Sequence, residues 1–177
     1  MKDKSPFEQL ESLEMTLRPM NANDWQDVAE IYIQGIETGN ATFQKEIPTW
    51  QKWNHDHLQC GRAVACTGGE IIGWAALSPV SGRCVYAGVA EVSVYVSSKF
   101  RGKHVGAALL HYLIIDSESH NIWTLQAGIF PENLASLKLH EQGGFRIVGY
   151  REKIGKMDGK WRNTVLLERR SNIAGID

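Results

Sequence analysis

Long apolar runs, an excess of charge and paired cysteines are all missing from this 177-residue sequence. Without a run of about 18 apolar residues it predicts no membrane-spanning helix, and its acidic, interrupted start does not predict a secretory signal peptide. The formal net charge is −1 and no stripe concentrates the basic residues, so we expect no nucleic-acid partner. Cys60, Cys66 and Cys84 form no Cys-x-x-Cys pair. We expect them to be free thiols in a reducing cytoplasm, and we expect no metal site.

What remains is the composition of an ordinary globular chain, with 43% hydrophobic and 22% charged residues. The length suits one domain with a substantial core. Residues 1–14 are polar and lack strand character, so we expect an amino-terminal tail there. The domain is expected to span residues 15–170, which leaves residues 171–177 as a carboxy-terminal tail.

The stretch from Glu91 to Leu110 is the most informative part of the sequence. Valines alternate with polar residues up to Val96, which predicts a strand, and apolar residues recur at helical spacing from Val105. Residues 97–104 form a short basic connection between the two. Because the first turn of a helix has free N–H groups and the positive end of the helix dipole, this arrangement predicts a site for phosphate.

Periodicity and turn residues predict the element order β-α-α-β-β-β-α-β-α-β-β. Asn23 is expected to cap the first helix, with Gln26 completing a capping box. Pro48 and Thr49 are expected to open a second, short helix. One long strand is predicted over residues 85–96, with Gly88 as a weak point.

The segment Arg101-Gly-Lys-His-Val-Gly106 resembles the Arg/Gln-x-x-Gly-x-Gly/Ala signature of the GNAT superfamily of acyl-CoA N-acyltransferases. In that family the signature cradles the pyrophosphate of coenzyme A. His104 stands where the signature has its first glycine, and a positive φ there costs His more than Gly. The resemblance implies an α/β (α+β) fold, with a mixed, mostly antiparallel sheet of about seven strands flanked by about four helices. It also implies acetyl-CoA as co-substrate, with cofactor contacts from Val94, Tyr95, Val96, Arg101, Gly102, Lys103, His104, Val105, Gly106, Ala107, Asn133 and Ser136.

A second segment, from Asn133 to Phe145, resembles the family pattern Asn-x-x-Ser-x-x-x-Tyr/His-x-x-x-Gly-Phe. This resemblance implies that Asn133 contacts the cofactor and that His140 faces the departing sulfur. The residues alone leave simpler roles open. Asn133 would also serve as an ordinary helix cap, and His140 as a packed side chain.

Acetyl transfer to an amine requires a neutral nitrogen, and therefore a base near an acceptor that is protonated at neutral pH. Glu91 lies among Val and Ala, where an unpaired carboxylate needs a wet or polar site, so we expect it to be this base. A Glu that merely faces solvent is the alternative. His140 is expected to act as the general acid toward the thiolate. The backbone N–H of Val94, exposed at a bulge, is expected to stabilise the oxyanion.

Phe43, Arg83, Tyr86 and Trp161 lie in segments that resemble the phosphinothricin N-acetyltransferases, which also act on methionine sulfoximine. This resemblance implies a small amino-acid-like acceptor and a homodimer. A guanidinium at Arg83 suits an acceptor carboxylate, since it binds such a group bidentately. Asn163 departs from the Asp that is usual in this group.

The sequence leaves two other functions open. One is a related acetyltransferase for another amine, such as a protein N-terminus, a polyamine or an aminoglycoside. The other is a non-catalytic acyl-CoA-binding module, which Glu91, Asn133 and His140 disfavour. No cysteine has an evident basic partner, so direct transfer in a ternary complex is favoured over an acetyl-enzyme.

Overall fold

The computed structural model of the protein describes residues 13–176, so nearly all of the predicted tail of residues 1–14 lies outside it. The described chain forms one seven-stranded sheet and four α-helices, which confirms the predicted fold and element order. The strands are β1 (Thr16–Pro19), β2 (Arg62–Thr67), β3 (Glu70–Pro79), β4 (Val89–Val96), β5 (Thr124–Ile129), β6 (Arg146–Met157) and β7 (Lys160–Arg170). The helices are α1 (Trp25–Glu37), α2 (Trp50–Asp56), α3 (Val105–Ser119) and α4 (Leu134–Gln142).

The sheet order is β1-β2-β3-β4-β5-β7-β6, and every neighbouring pair is antiparallel except β4 with β5. The parallel pair is short. It runs from Val89 opposite Thr124 to Glu91 opposite Gln126, after which the two strands separate. This separation opens the middle of the sheet and creates a large cleft.

Each face of the sheet has its own core. On one face, leucines of α3 pack against apolar residues from the central strands, including Val92 of β4. On the other face, α1 and α2 pack against Trp74 of β3 and Tyr95 of β4, and α2 contributes Trp53 to this core. The predicted alternation along β4 is therefore confirmed, since Val92, Val94 and Val96 face α3 while Tyr95 faces α1 and α2.

The predicted cap of the first helix is wrong by two residues. A short 3₁₀ helix over Ala22–Asp24 precedes α1, and Asn21 caps it in a reciprocal box with Asp24. Arg18 of β1 decides this register because its guanidinium binds both carboxylate oxygens of Asp24 at 2.7 Å.

The long strand predicted over residues 85–96 is shorter in the structure. Cys84–Tyr86 forms a 3₁₀ turn, and β4 begins only at Val89. Gly88 marks the boundary, because a Cβ there would lie 2.1 Å from the ring of Trp123. The carbonyl of Gly88 accepts bonds from the amides of Trp123 and Thr124.

At the carboxy-terminal end, residues 171–176 contain no helix or strand, yet Ser171 and Ala174 are buried against the domain. Arg170 donates to the carbonyl oxygen of Ala174 at 2.8 Å and also to that of Gly175. Gly175 in turn lies against Trp123. Over residues 13–176, no helix has the combination of length and apolar composition needed to cross a membrane.

Candidate active site

The gap between β4 and β5 opens into a cleft of about 870 Å³. The loop after α1, the start of α3, and α4 complete its walls. The cleft brings together most of the predicted site residues, namely Phe43, Glu91, Val94, Tyr95, Val96, Arg101, Gly102, His104, Val105, Gly106, Ala107, Asn133, Ser136 and His140. Lys103 is not among its lining residues; its ammonium lies over the ring of Phe100 instead.

The start of α3 has the geometry of an anion site. The first α3 amide that bonds back into the turn is that of Ala108, which donates to the carbonyl oxygen of His104 at 3.1 Å. The amides of Val105, Gly106 and Ala107 precede that bond, so they are the free N–H groups of a helix start. All three residues line the cleft. Together with the helix dipole, they favour a phosphate group at this end.

His104 adopts the left-handed conformation that the family signature normally assigns to glycine. Its φ is 62° and its ψ is 7°, at the N-cap position of α3. The same turn contains Gly102 with a φ of 76°. The condition under which His104 costs more than glycine is therefore met, at about 1–2 kcal/mol for a residue with a Cβ.

Gly106 keeps α3 close to its neighbours. A Cβ there would lie 3.3 Å from Leu139 of α4 and 3.6 Å from Val96 of β4. The glycine therefore serves the close packing of α3 as well as the approach of an anion. Only the second role is predicted from the sequence.

Glu91 lies at the last registered pair of β4 and β5, with an exposed side chain. Its nearest recorded polar partner is Nε2 of Gln126, 3.4 Å from Oε2. The carboxylate is thus accessible to water and to a bound amine. Such a wet position suits a base that acts directly or through one water molecule.

The backbone N–H of Val94 points into the gap. The amide of Ser97 donates to Ile72 of β3 at 2.9 Å, and alternate amides of β4 face the same neighbour. Val94 belongs to the opposite set, which faces β5, but β5 has separated by that point. The register between β3 and β4 is continuous, so the expected bulge in β4 is wrong: the N–H is freed by the divergence of β5.

His140 is 4% exposed, and its contacts assign the tautomer of the neutral ring. Its Nδ1 lies 2.8 Å from the carbonyl oxygen of Ser136, so Nδ1 must bear the donated hydrogen. Nε2 is then a lone-pair acceptor, and it is buried without a partner among the described residues. Burial lowers the pKa of His140, opposed by the bond to Ser136. The structure therefore favours an acceptor at this position over the predicted general acid.

Asn133 performs the simpler of its two predicted roles. Its Oδ1 accepts the amide of Ser136 at 3.1 Å, which caps α4, and its Nδ2 donates to the carbonyl oxygen of Asn40 at 3.1 Å. The amide group lies on the cleft wall with one N–H and one Oδ1 lone pair engaged, so the second N–H and the second lone pair are left for a cofactor contact.

The residues predicted for the acceptor are divided by the structure. Phe43 lines the cleft, 4.8 Å from the ring of Phe130. Arg83 lies over the ring of Tyr86 at 5.6 Å, in an exposed turn that does not line the cleft of its own chain. Trp161 is 57% exposed and also lies outside the cleft lining.

Sequence reasoning missed three participants. Asn40 and Thr164 line the cleft, and Thr164 Oγ1 is buried without a partner among the described residues. Arg162 donates to Gly39 and Asn40, in the loop that forms one wall of the cleft. Its position beside Trp161 was a weak signal. The contacts span 122 and 123 residues, however, and no local pattern encodes them.

Comparison with known proteins gives concordant results. A profile of the Acetyltransferase (GNAT) family matches residues 24–145. The chain is 30% identical to the phosphinothricin N-acetyltransferase of Alcaligenes faecalis over 89% of its own length and 83% of that protein's. It is 26% identical to the L-methionine sulfoximine/L-methionine sulfone acetyltransferase of Pseudomonas aeruginosa, over 86% of this chain and 92% of that one.

Solved structures give the same picture. The phosphinothricin acetyltransferase of Sinorhizobium meliloti, solved with acetyl-CoA, superimposes with a TM-score of 0.82 at 27% identity, covering 92% of this chain and 91% of that one. The ribosomal-protein-alanine N-acetyltransferase of Brucella melitensis gives a TM-score of 0.82 at 26% identity, covering 88% and 99%. The two structures are named for different acceptors, so likeness of fold does not choose between them.

Proposed function

This chain belongs to the GNAT family of acetyltransferases, uses acetyl-CoA as its acetyl donor, and, we propose, acetylates the α-amino group of a small amino acid of the phosphinothricin or methionine sulfoximine type. The observation that best supports a catalytic role is the cleft between β4 and β5. It has free helix amides at one end and an accessible carboxylate on the strand that leads to them.

The described residues fit the coenzyme. The amides of Val105, Gly106 and Ala107 would hold its pyrophosphate by backbone donors, and Arg101 adds a fixed positive charge at the same end. Two buried polar atoms, His140 Nε2 and Thr164 Oγ1, belong to residues of the cleft wall and have no partner among the described residues. Orphaned buried polar atoms are costly unless a ligand or water satisfies them, and the amides of the pantetheine arm supply suitable donors.

Glu91 prepares the acceptor by taking one proton from its ammonium group, directly or through a water molecule. Bound acetyl-CoA supplies a thioester that the neutral amine attacks in a ternary complex, yielding the amide and coenzyme A. The second proton lost by the nitrogen balances the one gained by the sulfur. Transfer therefore does not require a proton from His140, whose Nε2 is the wrong partner for that task.

The N–H of Val94 is proposed to stabilise the oxyanion that develops on the acetyl group. It belongs to a fixed strand, points into the gap and has no registered strand partner on that side. A donor that is already oriented stabilises the developing charge without reorganisation.

Arg83, Tyr86 and Trp161 remain the proposed acceptor residues, and we propose that a homodimer brings them to a cleft. Within one chain they lie outside its lining. The edge strand β6 and its surroundings expose Ile147, Val148, Tyr150, Ile154 and Trp161. Apolar groups on a sheet edge are commonly covered by a partner. Light scattering would test this proposal, and a monomer at micromolar concentration would contradict it. We propose a cytoplasmic location, where Cys60, Cys66 and Cys84 would remain free thiols.

A thiol-release assay against a panel of amines tests the function. We expect phosphinothricin or methionine sulfoximine to be acetylated better than polyamines, aminoglycosides or peptides with a free N-terminal alanine. The alanine peptide covers the acceptor named for the Brucella structure. Faster turnover of that peptide would overturn the acceptor assignment, whereas no turnover of any amine would favour a binding module.

A further inference from the structure

Arg162 of β7 fixes the start of the loop that forms one wall of the cleft. This loop, residues 38–44, follows α1, and all of its residues except Gly39 line the cleft. Nη1 of Arg162 donates to the carbonyl oxygen of Gly39 at 2.9 Å, and Nη2 donates to Oδ1 of Asn40 at 2.8 Å. Nη2 also donates to Glu132 at 3.3 Å.

The same turn is held from α4 as well. Nδ2 of Asn133 donates to the carbonyl oxygen of Asn40 at 3.1 Å. Asn40 therefore has its side-chain oxygen bound by β7 and its backbone oxygen bound by the cap of α4. A loop residue fixed through both oxygens loses most of its freedom to change conformation.

Aromatic packing extends this anchorage along the loop. The ring of Phe130 lies 4.1 Å from Cζ of Arg162 and 4.8 Å from the ring of Phe43. Gly155 is the registered β6 partner of Arg162, and a Cβ there would lie 2.7 Å from Phe43. The missing side chain at Gly155 thus makes room for Phe43 against the β6–β7 hairpin.

The loop belongs to the acceptor side of the cleft. It lies on the face of β4 occupied by Tyr95. A Cβ added at Gly35 would lie 2.6 Å from the Tyr95 ring and 3.7 Å from Cβ of Ala41, and the Thr42 hydroxyl opposes the rise that burial causes in the pKa of Tyr95. By the period of two, Glu91 projects from the same face as Tyr95. The apolar contacts of Val94 and Val96, in contrast, belong to the α3 face.

We infer that Arg162 is a positioning residue that holds the 38–44 loop as the acceptor wall of the cleft. The inference rests on the proposed function, because an acceptor wall presupposes an amine bound beside Glu91. Arg162 is only 17% exposed, and its planar fork matches two acceptors at once. A point charge on a lysine would satisfy only one of them well.

The test compares Arg162→Met and Arg162→Lys with Arg146→Met. Arg146 is an arginine on the same hairpin, but its recorded partner is Glu168, at 2.8 Å, away from the loop. Asn40→Ala serves as a second variant, since it removes the side-chain oxygen that accepts from Arg162 and leaves β7 intact. Two readouts are used: hydrogen exchange of residues 38–44 by mass spectrometry, and KM for the best acceptor of the panel and for acetyl-CoA.

For Arg162→Met we expect exchange in the loop to accelerate about tenfold or more, and acceptor KM to rise about ten- to a hundredfold. KM for acetyl-CoA should stay within about twofold, the lysine should recover part of the loss, and Arg146→Met should match the wild type in both readouts. Unchanged exchange in both Arg162→Met and Asn40→Ala would overturn the inference. An equal rise of both KM values would also overturn it. If the wild type acetylates no amine, the proposed function fails, and the exchange readout still decides whether Arg162 holds the loop.

Discussion

Glu91 and His140 line one cleft, but their surroundings give them opposite properties. Glu91 is exposed, whereas His140 is 4% exposed and tied through Nδ1 to a carbonyl oxygen. The accessible group can exchange protons with solvent between turnovers. The buried one is held neutral, so it is suited to accepting a hydrogen bond from a ligand.

Replacing Glu91 by Gln keeps the shape of the side chain and removes the base. We expect kcat to fall by roughly 10²- to 10⁴-fold and the acidic limb of the pH–rate profile to change. Affinity for acetyl-CoA, measured by calorimetry, should remain near that of the wild type. Unchanged turnover from pH 6 to 9 would remove Glu91 from the mechanism.

Replacing His104 by Gly removes the Cβ from a left-handed residue at the N-cap of α3. The relief of about 1–2 kcal/mol is partly offset by about 0.5–1 kcal/mol of extra unfolded-state entropy. We therefore expect an unchanged or slightly raised Tm, with acetyl-CoA binding intact because backbone amides hold the anion. A large loss of cofactor affinity would show that the imidazole itself binds the coenzyme.

Arg83→Ala tests the proposed acceptor carboxylate contact. Losing a charge-assisted bidentate contact costs about 1.5–3 kcal/mol, so KM for the amino-acid acceptor should rise by roughly one to two decades. KM for acetyl-CoA should change little, and Lys at this position should recover only part of the loss. An unchanged acceptor KM would exclude Arg83 from the acceptor site.

At the scale of elements, local pattern succeeded where one element determines its own geometry. The sequence placed the start of α3 at Val105, as the structure confirms. It failed at the first helix because Asn21 with Asp24 and Asn23 with Gln26 both resemble capping boxes. The two are distinguished by Arg18, which lies six residues before Asp24 on a different element, β1.

The site itself was predictable only in part, for a related reason. The residues near the start of α3 follow one another in sequence, so a local motif finds them. Asn40 and Arg162, in contrast, are 122 residues apart and meet only because β7 lies next to β5 in the sheet. Neither the divergence of β5 from β4 nor the tautomer of His140 follows from residue types alone.

The packing of α3 against α4 can be tested at Gly106. Gly106→Ala places a Cβ 3.3 Å from a flexible leucine, which costs little against the helix propensity that alanine gains. Gly106→Val adds branches toward Leu139 and Val96 and should destabilise by about 1–3 kcal/mol, with weaker acetyl-CoA binding. Thermal denaturation and calorimetry would measure both effects, with Gly149→Ala as a control in open space. A Val variant as stable as wild type would contradict the close approach.

For the whole molecule, the buried His140 and the half-buried His57 predict how stability depends on pH. Burial lowers the pKa of His57 and of His140 below the ordinary 6.5. Because the unfolded chain then binds more protons, the stabilising contribution is complete above pH 6.5 and is lost as the pH falls toward the folded pKa values. We expect Tm to decrease between pH 7.5 and 5.5, and His140→Gln to flatten that decrease. An equal slope in the variant would show that His140 does not contribute.

The parallel pair of β4 and β5 has a consequence for the molecule as a whole. Three register pairs join a half-sheet of four strands to a half-sheet of three. Beyond Glu91, no further pairs of β4 with β5 follow. The pantetheine arm of acetyl-CoA carries amides of its own, so it can form hydrogen bonds with the edge of β4 that β5 leaves unpaired. Acetyl-CoA would then bridge the two half-sheets. Its binding should reduce the mobility of both, including regions that it does not contact.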